Sequence, residues 1–562
     1  MPPRARRQTG RRLEVDSPTR TLHGVTGSQA ARVLTGLVWI TWAAWFTSQP
    51  VRPPWQVALV LFAAAGLALM GAALLVQSRD GQRRIDLLIL GGTVALIVIA
   101  PVVAALGNYL TDELAYDQAA AAALLHGVNP YGTDLTSALS TFGVSVGQTI
   151  RLDGTPMPNL SYPSLSFLVY VPGVALLGAT SYAGLLFDVL AWALAAWVMW
   201  RVVTPSLRPW VPLLFLFPAT LEAVLGGMTD SLFVPLAIVA VARWDRFGDP
   251  SQRGPARWVG PVALGLACAF KQQPWFLAPL LVIGVAMEAR ARGAGWPRVA
   301  GGYALVAALA FLVPNLPFIV WNPGAWLSRV LTPFTSAMVP MGIGPATLLR
   351  ALGIGGGNLS LFGLAAGAAL IAALAAFVAR YARLRTILPL LPLGVLFVSS
   401  RSFLSYFVFA VPVLVVNAAS LRPAHGAPLK PLIQRTALGV SAASIAVCVA
   451  FTTAAVLVSP PLHIAVTTSA FSAGSLRIDA RVDNATQNAV RASFFLASGP
   501  YYNQPLTRVA GPPVLKPGAS AAYEFVTTET SVTPHAGDSF QLQAGTESPA
   551  TISTSPSAVA GS

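Results

Sequence analysis

Residues 108–131 read Asn108-Tyr-Leu-Thr-Asp112-Glu113-Leu-Ala-Tyr116-Asp117, then an alanine-rich run, then His126-Gly127-Val-Asn129-Pro130-Tyr131. Thr111 ahead of two acids predicts a helix start: its hydroxyl caps the first turn and the carboxylates favour the positive end of the dipole. Gly127 and Pro130 predict the stop. Asp112 and Tyr116 are four apart and share one face. A carboxylate placed there, just after an apolar run, could act as general base towards a hydroxyl acceptor. The same two acids could equally serve only the helix dipole. Other charges stand out by position. Asp188, Glu222 and Asp230 sit in or at the ends of apolar runs, where a carboxylate is costly and marks a candidate site. Lys271 and Arg401 are cations at span ends. These two sets are expected to converge on one cavity.

The elements that must position these residues follow from composition. Of 562 residues, 55% are hydrophobic and only 10% charged, against about 25% charged in an ordinary soluble domain. That excludes a soluble globular chain, a disordered chain and a disulfide-built secreted module. Long apolar runs recur from about residue 33 to 458, so the class is a polytopic all-α membrane protein. Spans are expected near 33–49, 56–77, 86–107, 181–202, 209–226, 231–242, 258–270, 274–288, 299–320, 360–380, 386–400, 403–418 and 436–458, about thirteen in all. Residues 162–179 are read as a re-entrant or interfacial helix, because a crossing there would put the next arginine-rich loops on the wrong side. With the N-terminus cytoplasmic, 25 of the 36 Lys and Arg fall in inner segments, the positive-inside pattern. The net charge of +15 is therefore topological and gives no reason to invoke nucleic acid. Cys268 and Cys448 lie in apolar runs, and the five histidines lack metal-ligand spacing, so neither a disulfide framework nor a zinc site is expected.

The chain divides into a disordered basic tail (1–32), a transmembrane domain (33–459) with an outer loop (108–161), a small extracytoplasmic β-sandwich (460–545) and a flexible tail (546–562). The strand evidence is period-two alternation in Ser475–Asp483, a turn at Asn484–Asn488, a candidate partner strand at Ala492–Leu496 and a further strand at Tyr523–Thr527.

The pattern Asp112-x-x-x-Tyr116, an Ala/Leu helix and Gly127-x-Asn129-Pro130-Tyr131 resembles the first outer loop of GT-C glycosyltransferases. It is most similar to their polyprenyl-phosphate-mannose-dependent (GT87/DUF2029-like) mannosyltransferase group. Gly226-Gly-Met-Thr-Asp230, Lys271-Gln272-Gln273-Pro274-Trp275 and Arg401-Ser-Phe-Leu-Ser-Tyr406-Phe resemble later segments of that family in the same order. The resemblance covers about 70–460 and leaves the β-domain unassigned. It implies a plasma-membrane enzyme of cell-envelope biogenesis that moves a sugar from a polyprenyl-phosphate donor to a glycan or glycolipid on the outer face. Asp112 would be the base, with Glu113 beside it. Arg401 would bind the departing phosphate with two parallel hydrogen bonds, and Lys271 as a point charge. One in-line displacement inverts the anomeric carbon with a single base.

Further contacts to substrate are assigned to Tyr116, Asn129, Tyr131, Tyr162, Asp230, Gln272, Gln273 and Tyr406. For the tyrosines the competing role is the membrane interface; for Asp230, Gln272 and Gln273 it is local structure. Mannose is the family-level sugar, and arabinofuranose also fits. No cofactor is expected to be required, although the acids could hold a divalent cation. A transporter or flippase also explains intramembrane charges and broken helices, but the spans show no two-fold repeat. An assembly protein displaying the β-domain leaves the acidic loop unexplained.

Overall fold

The computed structural model describes residues 26–47, 53–103, 109–144, 149–180, 183–250, 252, 254–353, 358–423, 430–472, 475–498, 502–527 and 534–561. The expected disordered tail lies outside these residues up to 25, as does Asn108. From Gly27 onward the chain is already helical, so the tail boundary at 32 moves back.

The chain forms two compact units. The first comprises residues 1–91 and 205–213. In it the helices Gly27–Thr47 and Pro53–Leu75 approach closely at two glycines. A Cβ on Gly36 would lie 2.7 Å from the Gly66 carbonyl oxygen, and one on Gly66 would lie 2.8 Å from that of Gly36. Small residues at such a crossing let apolar helices pack without a hydrophobic driving force. Arg32 and Asp86 form a buried ion pair at 2.8 Å.

The second unit comprises residues 92–204 and 214–562. Across the whole chain, eight helices among the described residues are long and apolar enough to cross a bilayer, or nine if the bent pair Arg208–Phe215 and Pro218–Leu225 counts as one. This is fewer than the expected thirteen. The expected spans at 231–242, 258–270 and 403–418 fold as helices of 8, 12 and 17 residues, below the ~20 that a straight crossing needs. Residues 162–179 form two short helices, Leu165–Leu168 and Val171–Leu177.

The loop helix runs Asp112–Leu125, with His126 at its C-cap and Gly127 at positive φ. Thr111 does not cap it through its side chain; its hydroxyl donates instead to the Gly227 carbonyl at 3.2 Å. A two-residue parallel bridge joins β1 (Met341–Gly342) to β2 (Arg401–Ser402). Gly342 has φ +102, and a Cβ there would collide with the Ser402 carbonyl.

The C-terminal strands are β3 (Leu462–Ser472), β4 (Ser475–Asn484), β5 (Ser493–Ser498), β6 (Tyr502–Ala510), β7 (Ser520–Thr527), β8 (Ser539–Glu547), β9 (Ala550–Thr554) and β10 (Ala558–Val559). They form one sheet in the order β10-β8-β5-β6-β7-β4-β3, with β9 also on β8. The expected two-sheet sandwich is thus a single sheet coiled into a half-barrel. The Ser469 hydroxyl on β3 donates to the Val559 carbonyl on β10 at 2.8 Å, which brings the two ends together. Coiling lets one face enclose Ile478, Val482, Leu496, Phe525 and Leu542. β4 shows the expected alternation of buried and exposed residues, but its partners are β3 and β7, while β5 pairs with β6 and β8. The segment 546–562 is not a flexible tail over its described part. It supplies β9 and β10, and Ile552 is buried.

The half-barrel is docked on the rest of its unit. Ile150, Leu152, Val339, Leu359 and Phe362 cluster with Phe495 and Ile552. The Leu359 amide donates to the Ala550 carbonyl at 2.8 Å, and the Ser493 hydroxyl to the Asp153 carbonyl at 2.7 Å.

Candidate functional site

A cavity of about 1160 Å³ opens inside the second unit. One end of its lining is polar, with Asp112, Thr149, Arg401 and Tyr406. A long apolar wall is built by Leu364, Gly367 and Leu370 of the helix Ser360–Ala379, with Leu396 and Phe334. Glu547–Ala550, the β8–β9 turn, also lines it.

Asp112 is the first residue of the loop helix and is 6% exposed. Its Oδ2 accepts the Thr149 amide N–H at 2.7 Å. Burial pushes its carboxyl above the usual carboxylate range; the Arg401 charge and the Thr149 hydrogen bonds act the other way. A carboxylate held in this manner retains basicity, as a general base requires. Arg401 is fixed by the β1–β2 bridge. It donates from Nη2 to the Thr149 hydroxyl at 3.0 Å and from Nη1 to Met338 Sδ at 3.3 Å, and packs on the Phe403 ring. No carboxylate pairs with it within ion-pair distance among the described residues, and its Nε is buried without a hydrogen-bond partner. Thr149 thus touches both the acid and the cation.

The second expected cation behaves differently. Lys271 is 1% exposed. Its Nζ donates to Glu113 Oε2 at 2.6 Å and Asp230 Oδ1 at 2.8 Å, and it lies over the Tyr162 ring. Those carboxylates hold it charged and push its pKa up against the effect of burial. Lys271, expected as a phosphate contact, has its charge matched by two carboxylates and is not among the residues that line the cavity. Glu113 is likewise engaged. Besides the ammonium, it accepts from the Tyr162 hydroxyl at 3.1 Å and from the Thr229 amide at 3.2 Å. Of the two adjacent acids, Asp112 is the one suited to take a proton. Asp230 is buried and also accepts from Gln273 Nε2 at 2.9 Å. It organises the lysine cluster and lines no part of the cavity.

Tyr162, Gln272, Gln273, Tyr116 and Tyr406 do line it. Gln272 spends its amide on the Ser161 and Val330 carbonyls at 2.6 and 2.9 Å, and Tyr116 its hydroxyl on the Met157 carbonyl at 2.6 Å. Both shape the wall. Asn129 and Tyr131, expected as substrate contacts, are not among the residues that line the cavity. Asn129 Oδ1 accepts the Tyr131 amide, and the buried Tyr131 hydroxyl holds the Tyr162 carbonyl at 2.9 Å. Deeper in, Asp117 accepts from the Ser166 hydroxyl at 2.7 Å, and burial pushes its carboxyl up to about 7. Asp188 accepts the Tyr170 hydroxyl at 2.6 Å. Glu222 is exposed.

Glu113 and Asp230 converge on the Lys271 ammonium. Among the described residues no three His, Cys, Asp or Glu side chains group as metal ligands. Sequence reasoning missed Thr149, which sits in Val146-Gly-Gln-Thr149 without any charge or motif to mark it. It also missed the β8–β9 turn, hidden in a Ser/Thr/Pro-rich stretch. Comparison of the chain with protein-family models, curated proteins and solved structures gives no match.

Proposed function

We propose that this protein is a multi-pass membrane glycosyltransferase of GT-C type, transferring a sugar from a polyprenyl-phosphate donor to a hydroxyl of a cell-envelope glycan or glycolipid. The observation that carries this reading is the Asp112–Thr149–Arg401 arrangement at the polar end of an apolar-walled cavity. A basic carboxylate and a guanidinium without a carboxylate partner are what transfer from a lipid phosphate needs. The guanidinium receives the phosphate and stabilises the charge that develops as the glycosidic C–O bond breaks. Asp112 takes the proton of the acceptor hydroxyl as its oxygen attacks the anomeric carbon, with inversion. The apolar wall matches a polyisoprenoid chain. Glu113, Lys271 and Asp230 hold the loop helix against the segment that carries Gln272 and Gln273. Mannose is the sugar proposed from the family resemblance. In this reading the cavity and the half-barrel face the outside of the plasma membrane and the N-terminus lies in the cytoplasm.

The test uses labelled polyprenyl-phosphate mannose with membranes containing the full chain. Wild type is expected to form a glycosidic product, and Asp112→Asn to lower the rate by about 10²–10⁴-fold, the usual contribution of a positioned base. Full activity of Asp112→Asn overturns the base assignment. Movement of the donor across sealed vesicles without any product supports a transporter instead.

A further inference from the structure

The β8–β9 turn raises a question that the chemistry above leaves open. Glu547, Ser548 and Pro549 are exposed, yet all three line the cavity together with Ala550. A backbone contact fixes the turn there, the Ala550 carbonyl accepting the Leu359 amide at 2.8 Å, and Glu547 reaches Arg151 at 3.3 Å in an exposed pair. Arg151 is bridged to Met338, whose sulfur touches Arg401. The turn therefore stands at the polar end of the cavity, where the helix Ser360–Ala379 begins. The apolar wall runs away from it through Leu364, Gly367 and Leu370.

Charge decides what this turn can bind. A carboxylate at Glu547 repels a phosphate, and Arg401 already offers the anion site. Neither the lipid chain nor its phosphate suits the turn. A carboxylate and a hydroxyl side by side suit the hydroxyls of an uncharged polyol, because hydrogen bonds to an ionised acceptor are among the stronger ones. The exposed Arg151–Glu547 pair is of the kind that contributes little, so an incoming hydroxyl displaces it at small cost.

We propose that the β8–β9 turn is the acceptor subsite, with Glu547 and Ser548 binding hydroxyls of an uncharged sugar acceptor and orienting one of them towards Asp112. This rests on the transferase reading and adds that the C-terminal domain selects the acceptor.

The experiment uses the full chain in proteoliposomes, polyprenyl-phosphate mannose as donor and octyl α-mannoside as acceptor. The double variant Glu547→Ala, Ser548→Ala is expected to raise the acceptor KM about tenfold, the loss of one to two hydrogen bonds, with kcat changed less. Glu547→Gln with Ser548 intact is expected to fall between, since the amide still accepts. Wild-type thermal midpoints for both variants exclude misfolding as the cause. An unchanged acceptor KM, or a change confined to the donor KM, overturns the subsite while leaving the transferase reading in place. Absence of any glycosidic product from wild type overturns both.

Discussion

Replacing Lys271 by methionine tests the charge cluster independently of any substrate. The ammonium lies 2.6 Å from Glu113 and 2.8 Å from Asp230, and the side chains of Lys271 and Asp230 are each 1% exposed. At an effective dielectric of about 20, each contact represents on the order of 6 kcal/mol of Coulomb attraction before desolvation. Methionine keeps most of the volume but leaves two neighbouring carboxylates without their cation. Breaking a buried ion pair by removing one partner costs about 3–5 kcal/mol, and that loss is expected near neutral pH. Burial raises the Asp230 carboxyl above its usual range, and its protonation relieves the repulsion, so the deficit shrinks at acid pH. Adding Asp230→Asn should recover most of the loss. It leaves a single carboxylate at Glu113, still held by the Tyr162 hydroxyl and the Thr229 amide. The assay is denaturant or thermal unfolding of the detergent-solubilised full chain at both pH values. If Lys271→Met unfolds with wild type at neutral pH, or if Lys271→Met with Asp230→Asn is no more stable than Lys271→Met alone, the three groups do not form the compensated cluster described.

Other expectations follow from neighbouring groups. Asp117 has its folded pKa raised by burial to about 7, above the ~3.9 of a free aspartate. Its contribution is thus fully present below about pH 4 and is lost as pH rises through 7, on the order of 4 kcal/mol. Asp117→Asn should therefore unfold later than wild type near pH 8, with the gap closing towards about pH 4 in unfolding curves. Arg401→Ala should lower kcat/KM for the lipid-phosphate donor by about 10²–10³-fold, as loss of a transition-state donor does. Arg401→Lys should recover only part of that, because a single ammonium cannot form the fork; equal activity of Lys and Arg would refute bidentate phosphate binding. Gly342→Ala meets both a positive φ and the Ser402 carbonyl. It should dislodge β2, and so reduce transfer as Arg401→Ala does, with a lower unfolding midpoint.

Charges in apolar surroundings were the legible part of the site. Asp112, Glu113 and Arg401 stand out in the sequence by charge, Gln272 and Gln273 only through the family resemblance, and all five line one cavity in the structure. What a sequence cannot display is which charges neutralise one another. Lys271 and Arg401 looked alike as cations at span ends, yet one is enclosed by two carboxylates and the other by a hydroxyl, sulfur and an aromatic ring. Thr149 was invisible for a related reason, since its role depends on being brought beside residues 112 and 401. Period-two alternation revealed β4 and β7 but not their partners, because register in a coiled sheet is set by long-range contacts. Hydropathy marks thirteen apolar runs, while eight or nine helices among the described residues are long enough for a straight crossing, because proline and glycine break some runs into short helices. Ala550–Thr554 carries little apolar signal, since Ser and Thr dominate it, yet Ile552 is buried in a cluster with Phe495 and Leu359.

The cavity wall joins residue 110 at one extreme to residue 550 at the other. Closing so long a loop costs entropy before any contact rewards it, and such contacts form late. The cavity wall is complete only with the half-barrel seated on Leu359 and Phe362, because Glu547–Ala550 form part of it. Helices packed without the half-barrel would therefore still lack the part of the cavity wall that Glu547–Ala550 supply.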